Sequence, residues 1–160
     1  MSTAIDVAMV AIVLFAFGLG FFVIHYAVGE SVSALTSEPS INDSSMAVDA
    51  FDSMSTVTNK LDYVLFGLFI GLCLSMIVTA YLVGGKPIFM FFYFIVVIVV
   101  VAFSAVFANV WGEISTNANF GATVNAFPIT NNILTLLPIY MAIIGFIGMV
   151  VLFAKPYFEL

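Results

Sequence analysis

The stretch FGLFIGLCLSMIVTAYL, residues Phe66–Leu82, is apolar throughout and carries no charge. Within it Gly67, Gly71, Ser75 and Thr79 recur at every fourth position. Residues four apart share one face of a helix, so the stretch reads as an oily helix with one smooth side. A helix that is apolar all round belongs in a large core or in a bilayer, and composition decides between the two. The 160 residues are 64% hydrophobic and 8% charged, with a mean hydropathy of +1.25. Soluble domains are about half apolar and about a quarter charged. A soluble fold of this length cannot hide so much apolar surface, so lipid is the expected solvent.

Four runs are long enough to cross a hydrocarbon core, which takes about 20 helical residues. They are Ala4–Val28, Tyr63–Val83, Ile88–Trp111 and Ile129–Ala154. None shows the short alternating segments of a membrane barrel. The third contains FFYFIVVIVVVAF (Phe91–Phe103), whose β-branched content would suit a strand in water. In lipid only helices and closed barrels satisfy the backbone, so it too reads as a helix. The expected fold class is an all-α integral membrane protein, residues 1–160 forming one polytopic domain with four transmembrane helices. The first run lacks a basic n-region and is long for a signal h-region. It is expected to be retained, although Ala27–Gly29 resembles a cleavage site.

The connections differ in kind. GGKP (Gly84–Pro87) reads as a tight turn, with glycine ending one helix and proline opening the next. Residues 112–128 form a polar loop rich in Asn, Thr and Gly. Residues 29–62 carry Glu30, Glu38, Asp43, Asp49 and Asp52. There the spacing Ala47, Phe51, Met54, Thr58, Leu61, Leu65 is that of a heptad seam, with Asp43 or Ser44 placed to cap its start. The second helix is therefore expected to begin near residue 44 and run unbroken to residue 83. That is about 60 Å, about twice the hydrocarbon thickness. The first helix is expected to continue through GESVSALT (Gly29–Thr36) until Pro39 stops it. Together they predict a helical hairpin standing out of the bilayer, its tip at residues 37–43; the alternative is a flexible acidic loop.

Lysine placement orients the chain. Lys86 and Lys155 fall on one side, which is expected to be cytoplasmic or inner together with both termini. Residues 29–62 and 112–128 then lie outside, with Lys60 against the rule. Tyr26, Tyr63 and Trp111 fall at the outer boundary and Tyr81 and Tyr157 at the inner one, the depths amphipathic rings favour. Tyr93 lies a little inside the inner boundary, and Tyr140 is deeper in the fourth span.

Small residues recur on the other helices too. The third has Ser104, Ala108 and Gly112, the fourth Ala142, Gly145 and Gly148, and the first Ala4, Ala8, Ala16 and Gly20. In lipid, helices associate through close van der Waals fit, which small residues permit. These strips are read as packing faces, either within one bundle or toward another subunit. Pro138 should kink the fourth helix near Leu134, with Thr135 as a substitute hydrogen-bond partner.

Reactive groups are few. Cys73 is the single cysteine, so no intrachain disulfide forms, and it reads as a small buried hydrophobe. His25 and Glu30 lack a third ligand, and metal sites need several, so neither metal nor cofactor is expected. The ionisable groups Asp6, Asp62 and Glu113 sit at span edges rather than at depth, where pumps and relays place them. No nucleotide or hydrolase fingerprint occurs. The net charge of −6 disfavours nucleic acid and a polybasic membrane anchor. Asn42–Ser44 is a glycosylation triplet.

These features predict a non-enzymatic structural or assembly protein of a membrane. It would pack through its small-residue faces, as a homo-oligomer or with partner membrane or capsid-type subunits, and present an acidic hairpin to them. An accessory subunit of a membrane complex and a membrane protein of a lipid-containing virion are the two settings. The alternative is an oligomeric pore or holin-like channel lined by Ser75, Thr79, Ser104 and Asn109. A small enzyme or redox subunit would need ligands this chain lacks.

Overall fold

The computed structural model describes residues 2–83 and 87–158. They form eight α-helices: α1 (Ser2–Thr36), α2 (Pro39–Asn42), α3 (Ser45–Asn59), α4 (Leu61–Val83), α5 (Pro87–Ser115), α6 (Gly121–Ala126), α7 (Pro128–Thr135) and α8 (Leu137–Phe158), with a 3-10 turn at Ala118–Phe120. No strand occurs among the described residues, so the β-branched run lies within helix α5. Ile5–Thr36, Ser45–Leu82 and Phe91–Ser115 are each long and apolar enough to cross a membrane. The fourth run is a pair, α7 and α8, bent by 68°. Gly84, Gly85 and Lys86 of the expected turn lie outside the described residues; Pro87 opens α5.

The hairpin follows from its stop signals. Near the end of α1, the Thr36 hydroxyl donates to the Val32 carbonyl at 2.8 Å and that of Ser37 to Ala34 at 2.6 Å. Such local bonds compete with further helix. Pro39 then opens the one-turn α2 that forms the tip. Ser44 occupies the N-cap position of α3 with extended backbone, without a side-chain capping bond. α3 returns along α1.

The expected unbroken second helix is instead two helices meeting at Lys60, whose backbone stays in the αR region. The Thr58 hydroxyl bonds back to Met54 and Ser55 just before this joint. The rod nevertheless continues over 38 residues. Of its seam, Thr58 and Leu65 are buried, and Ala47, Phe51 and Leu61 are half-buried. Met54 departs from the expectation. It is 52% exposed, and Ser55, one position on, is half-buried in its place.

The long helices pack as a quadrilateral. α1 and α8 each lie against both α4 and α5, so α4 and α5, consecutive in the chain, occupy opposite corners. Val7, Val10, Ala11 and Leu14 of α1 meet Met76 and Ala80 of α4, Val97 and Val100 of α5, and Met141 of α8 in the main core. A second, smaller cluster gathers Phe22, Trp111 and Leu134. Phe15 and Phe107 stack with centroids 4.6 Å apart. Outward-facing positions on these helices are also apolar: Phe91, Phe92 and Phe103 are each about three-fifths exposed.

Candidate functional site

α7 starts without a cap of its own. Phe127 fills the N-cap position and has no side-chain oxygen to offer. Pro128 at the first turn lacks an N–H, which suits it to that place, but the N–H groups that follow need acceptors. Asp62, in the first turn of α4 and only 3% exposed, supplies them. Its Oδ2 accepts from the Ile129 N–H at 3.0 Å. Its Oδ1 accepts from the Thr130 N–H at 2.6 Å and the Thr130 hydroxyl at 2.7 Å. A carboxylate at a helix N-terminus is favoured by both the free N–H groups and the helix dipole. Asp62 is thus a helix cap delivered from a different helix.

Aromatic and amide groups complete this end of the molecule. Trp111 is fully buried, and its indole N–H donates to Asn131 Oδ1 at 2.9 Å. Phe22 meets Trp111 edge-on at 5.1 Å, and Phe120 covers Phe22 and Tyr26. His25 lies against Phe127 at 4.8 Å, its Nδ1 buried without a hydrogen-bond partner. Replacing Trp111 by Phe keeps most of the ring packing and leaves Asn131 short of one donor. The expected cost is about 1 kcal/mol, read as a lower melting midpoint in detergent; an unchanged midpoint would mean that water replaces the indole without loss.

The kink expected near Leu134 is a full break two residues later. Leu136 leaves helical geometry at φ −97°, ψ 14°. Pro138 has no N–H to donate to Leu134, and its ring crowds that carbonyl, so helical bonding resumes from the Leu136 carbonyl to the N–H groups of Ile139 and Tyr140. Asn132 spans the break: its side-chain oxygen accepts from the Tyr140 hydroxyl at 2.7 Å, which gives that deep tyrosine a partner. Thr135 bonds to the Asn131 side chain at 3.4 Å rather than to the freed backbone.

The small residues singled out in the sequence do not share one environment. A Cβ at Gly145 would meet Val97 Cγ1 at 2.6 Å, and one at Gly148 would meet the Tyr93 hydroxyl, with Met76 Cε at 3.0 Å. Ser104 is fully buried and bonds back to Val101, and Ala108 is half-buried. Gly67, Gly71 and Gly112 have nothing within 4 Å of a Cβ. Gly67, Gly71 and Ser75 are exposed on the outer side of α4. Thr79 is half-buried, its hydroxyl returned to the Ser75 carbonyl. On α1 the tight glycine is Gly18, 2.9 Å from Leu134, and not Gly20, which meets nothing.

Ser75 and Asn109 are exposed on different helices while Ser104 is in the core, so the polar strip considered for a pore does not converge in one chain. Cys73 is half-buried. Glu30 is exposed, and no group of three His, Cys, Asp or Glu side chains that could hold a metal occurs among the described residues. Sequence reading placed Asp62 at a span edge and passed over Thr130 and Asn131. The available signal was Phe127–Pro128, a helix start with no capping side chain. Compared with known proteins, the chain matches no family model, no curated protein and no solved structure.

Proposed function

We propose that the chain is a non-enzymatic structural protein of a membrane, with four spans: α1, α4, α5 and α8. The apolar part of α8, residues 137–154, is about 27 Å long, within the range of helices that cross a hydrocarbon core of about 30 Å. α7, turned by 68°, then lies at the interface, where the Asp62 carboxylate anchors it. The contacts favour alternating directions. Phe22 in the second half of α1 and Trp111 late in α5 cluster at the same end as Asp62, which opens α4, and Thr130 in α7. Tyr93 early in α5 meets the Gly148 position, just past the midpoint of α8, as does Met76 in the second half of α4, away from that end. The clasped end is taken as outer, with residues 29–62 and 112–128, and the termini as cytoplasmic or inner.

The observation that carries this reading is where the polar groups go. Asp62, Thr130, Trp111 and Asn131 are engaged with one another in holding helices together, while the outward surface of the long helices is apolar. Buried hydrogen bonds fix geometry, and an apolar exterior suits lipid. The acidic hairpin is the part offered to partner subunits, in a membrane complex or a lipid-containing virion. The separation of Ser75 and Thr79 on α4 from Ser104 and Asn109 on α5 favours this role over a pore.

Reconstitution into vesicles and mild detergent extraction test it together. Expected are carbonate-resistant insertion, no ion or dye flux, and recovery in an assembly of fixed stoichiometry. Conductance from purified protein would overturn the reading in favour of a channel.

A further inference from the structure

The α3–α4 rod carries a second seam on the side turned away from the hairpin. On α3 it runs through Met46, Ala50, Ser53 and Val57, with Met46 82% and Val57 64% exposed. Lys60 follows at the joint. On α4 the same alternation of four and three continues through Val64, Gly67 and Gly71 to Leu74, all exposed. The inner seam of the rod is taken up by α1 and the core; the outer one has no occupant within the chain. The acidic side chains of α3, Asp49 and Asp52, lie beside this line rather than on it.

We propose that this outer face of α3–α4 is the contact of a parallel homodimer, two copies related by a two-fold axis along the bilayer normal. The proposal rests on the membrane reading above and names its first partner. Lipid tails do not account for the seam, because its α3 half stands clear of the hydrocarbon in that reading and still exposes Met46 and Val57. A 4-3 repeat is the pattern of one helix packed along another. The occupant must itself be a long helix passing from water into lipid in matching register, and a second α3–α4 rod is such a helix. A two-fold contact uses the same patch on both copies.

The size is sufficient. The rod has 38 residues, so it is about 57 Å long, and a strip about 10 Å wide covers about 570 Å² per copy, about 1,100 Å² in all. Specific interfaces need about 1,000 Å². The two halves suit their media: Met46 and Val57 above the bilayer, and Gly67 and Gly71 within it, where close backbone approach drives association. Lys60 is the exception that sets register. A single lysine in such a seam lowers stability and specifies alignment, and at the membrane boundary its amine can turn to water while its stem stays on the seam.

The test uses the full-length protein in phosphatidylcholine–phosphatidylglycerol vesicles with Cys73→Ala as background. Single cysteines at Ser53 and Leu74 probe the seam in each medium, and cysteines at Asp52 and Ile70 probe exposed positions beside it. Mild oxidation is expected to give disulfide dimers at 53 and 74 and at most a tenth as much at 52 and 70. Energy transfer between labelled copies adds a second readout. Gly71→Ile should weaken association about tenfold or more, with helix content and the melting of the monomer unchanged, since nothing lies within 4 Å of that position in the chain. Lys60→Leu should strengthen it about tenfold. Equal cross-linking at all four sites, or association indifferent to both substitutions, overturns the dimer. Insertion with no flux but a monomer at every density removes this inference alone; failure to insert removes the membrane reading beneath it.

Discussion

Replacing Asp62 by alanine is expected to destabilise the fold by about 4 kcal/mol, the largest effect of any single carboxylate among the described residues. The carboxylate takes three hydrogen bonds, two from backbone N–H groups that have no helical acceptor. Each buried donor left unpaired costs about 1–3 kcal/mol, and bonds to a charged acceptor lie at the strong end. Because Ile129 is half-buried, water recovers part of the loss, which keeps the sum well below three full penalties. Asp62→Asn should cost about half as much: its oxygen still serves Thr130, but its NH2 group faces the Ile129 N–H, donor against donor. Thr130→Val removes only the hydroxyl bond and should cost about 1 kcal/mol. Asp52→Ala, at an exposed position, should change stability by less than about 0.5 kcal/mol. Unfolding by denaturing detergent measures the series, and hydrogen exchange locates it: in Asp62→Ala, protection should fall first across residues 127–136. If Asp62→Ala and Asp52→Ala melt alike, the carboxylate is not holding α7.

Asp62 also marks where the sequence stops being readable. A carboxylate flanked by Leu61 and Tyr63 at the start of an apolar run looks like a boundary residue, and linear spacing holds no trace of an acceptor borrowed across 68 positions. Hydropathy alone made the long helices legible, because a residue's preference for lipid needs no knowledge of its neighbours. The turn at the hairpin tip was legible for a similar reason: Pro39 acts on its own backbone. The 4-3 spacing within residues 47–65 is legible because Phe51 and Leu65 are large apolar side chains, whereas the interleaved line Met46, Ala50, Ser53, Val57 is carried between its ends by alanine and serine, which hydropathy does not mark. The break in the fourth run was half legible. Pro138 announces it, but its size depends on Asn132, Tyr140 and the clasp at Asp62, which are tertiary contacts.

Glycine gives the sharpest contrast between spacing and environment, and the second large prediction follows from it. Gly145→Leu is expected to destabilise by about 3 kcal/mol or more, and Gly145→Ala by about 1–2 kcal/mol. A Cβ at residue 145 falls 2.6 Å from one methyl of Val97 and 3.0 Å from the other. Valine in a helix is held to one χ1 rotamer, so neither methyl can swing aside. α5 and α8 must therefore move apart along their contact, and overpacking of this kind costs about 1–3 kcal/mol. Alanine's better helix propensity returns up to about 1 kcal/mol, which is why its net effect is smaller. At Gly71 that gain stands alone: with nothing within 4 Å, Gly71→Ala should be neutral or stabilise the monomer by up to about 1 kcal/mol. The mechanism has its own control. Val97→Ala removes both obstructing methyls, so Gly145→Ala made on that background should lose most of its penalty, a coupling of about 1 kcal/mol between contacting residues. Equal penalties in the two backgrounds would show that the glycine is required for something other than the approach of α5 to α8. Equal penalties at Gly145 and Gly71 under conditions that keep the protein monomeric would mean that the glycines on α4 face a neighbour within the same chain.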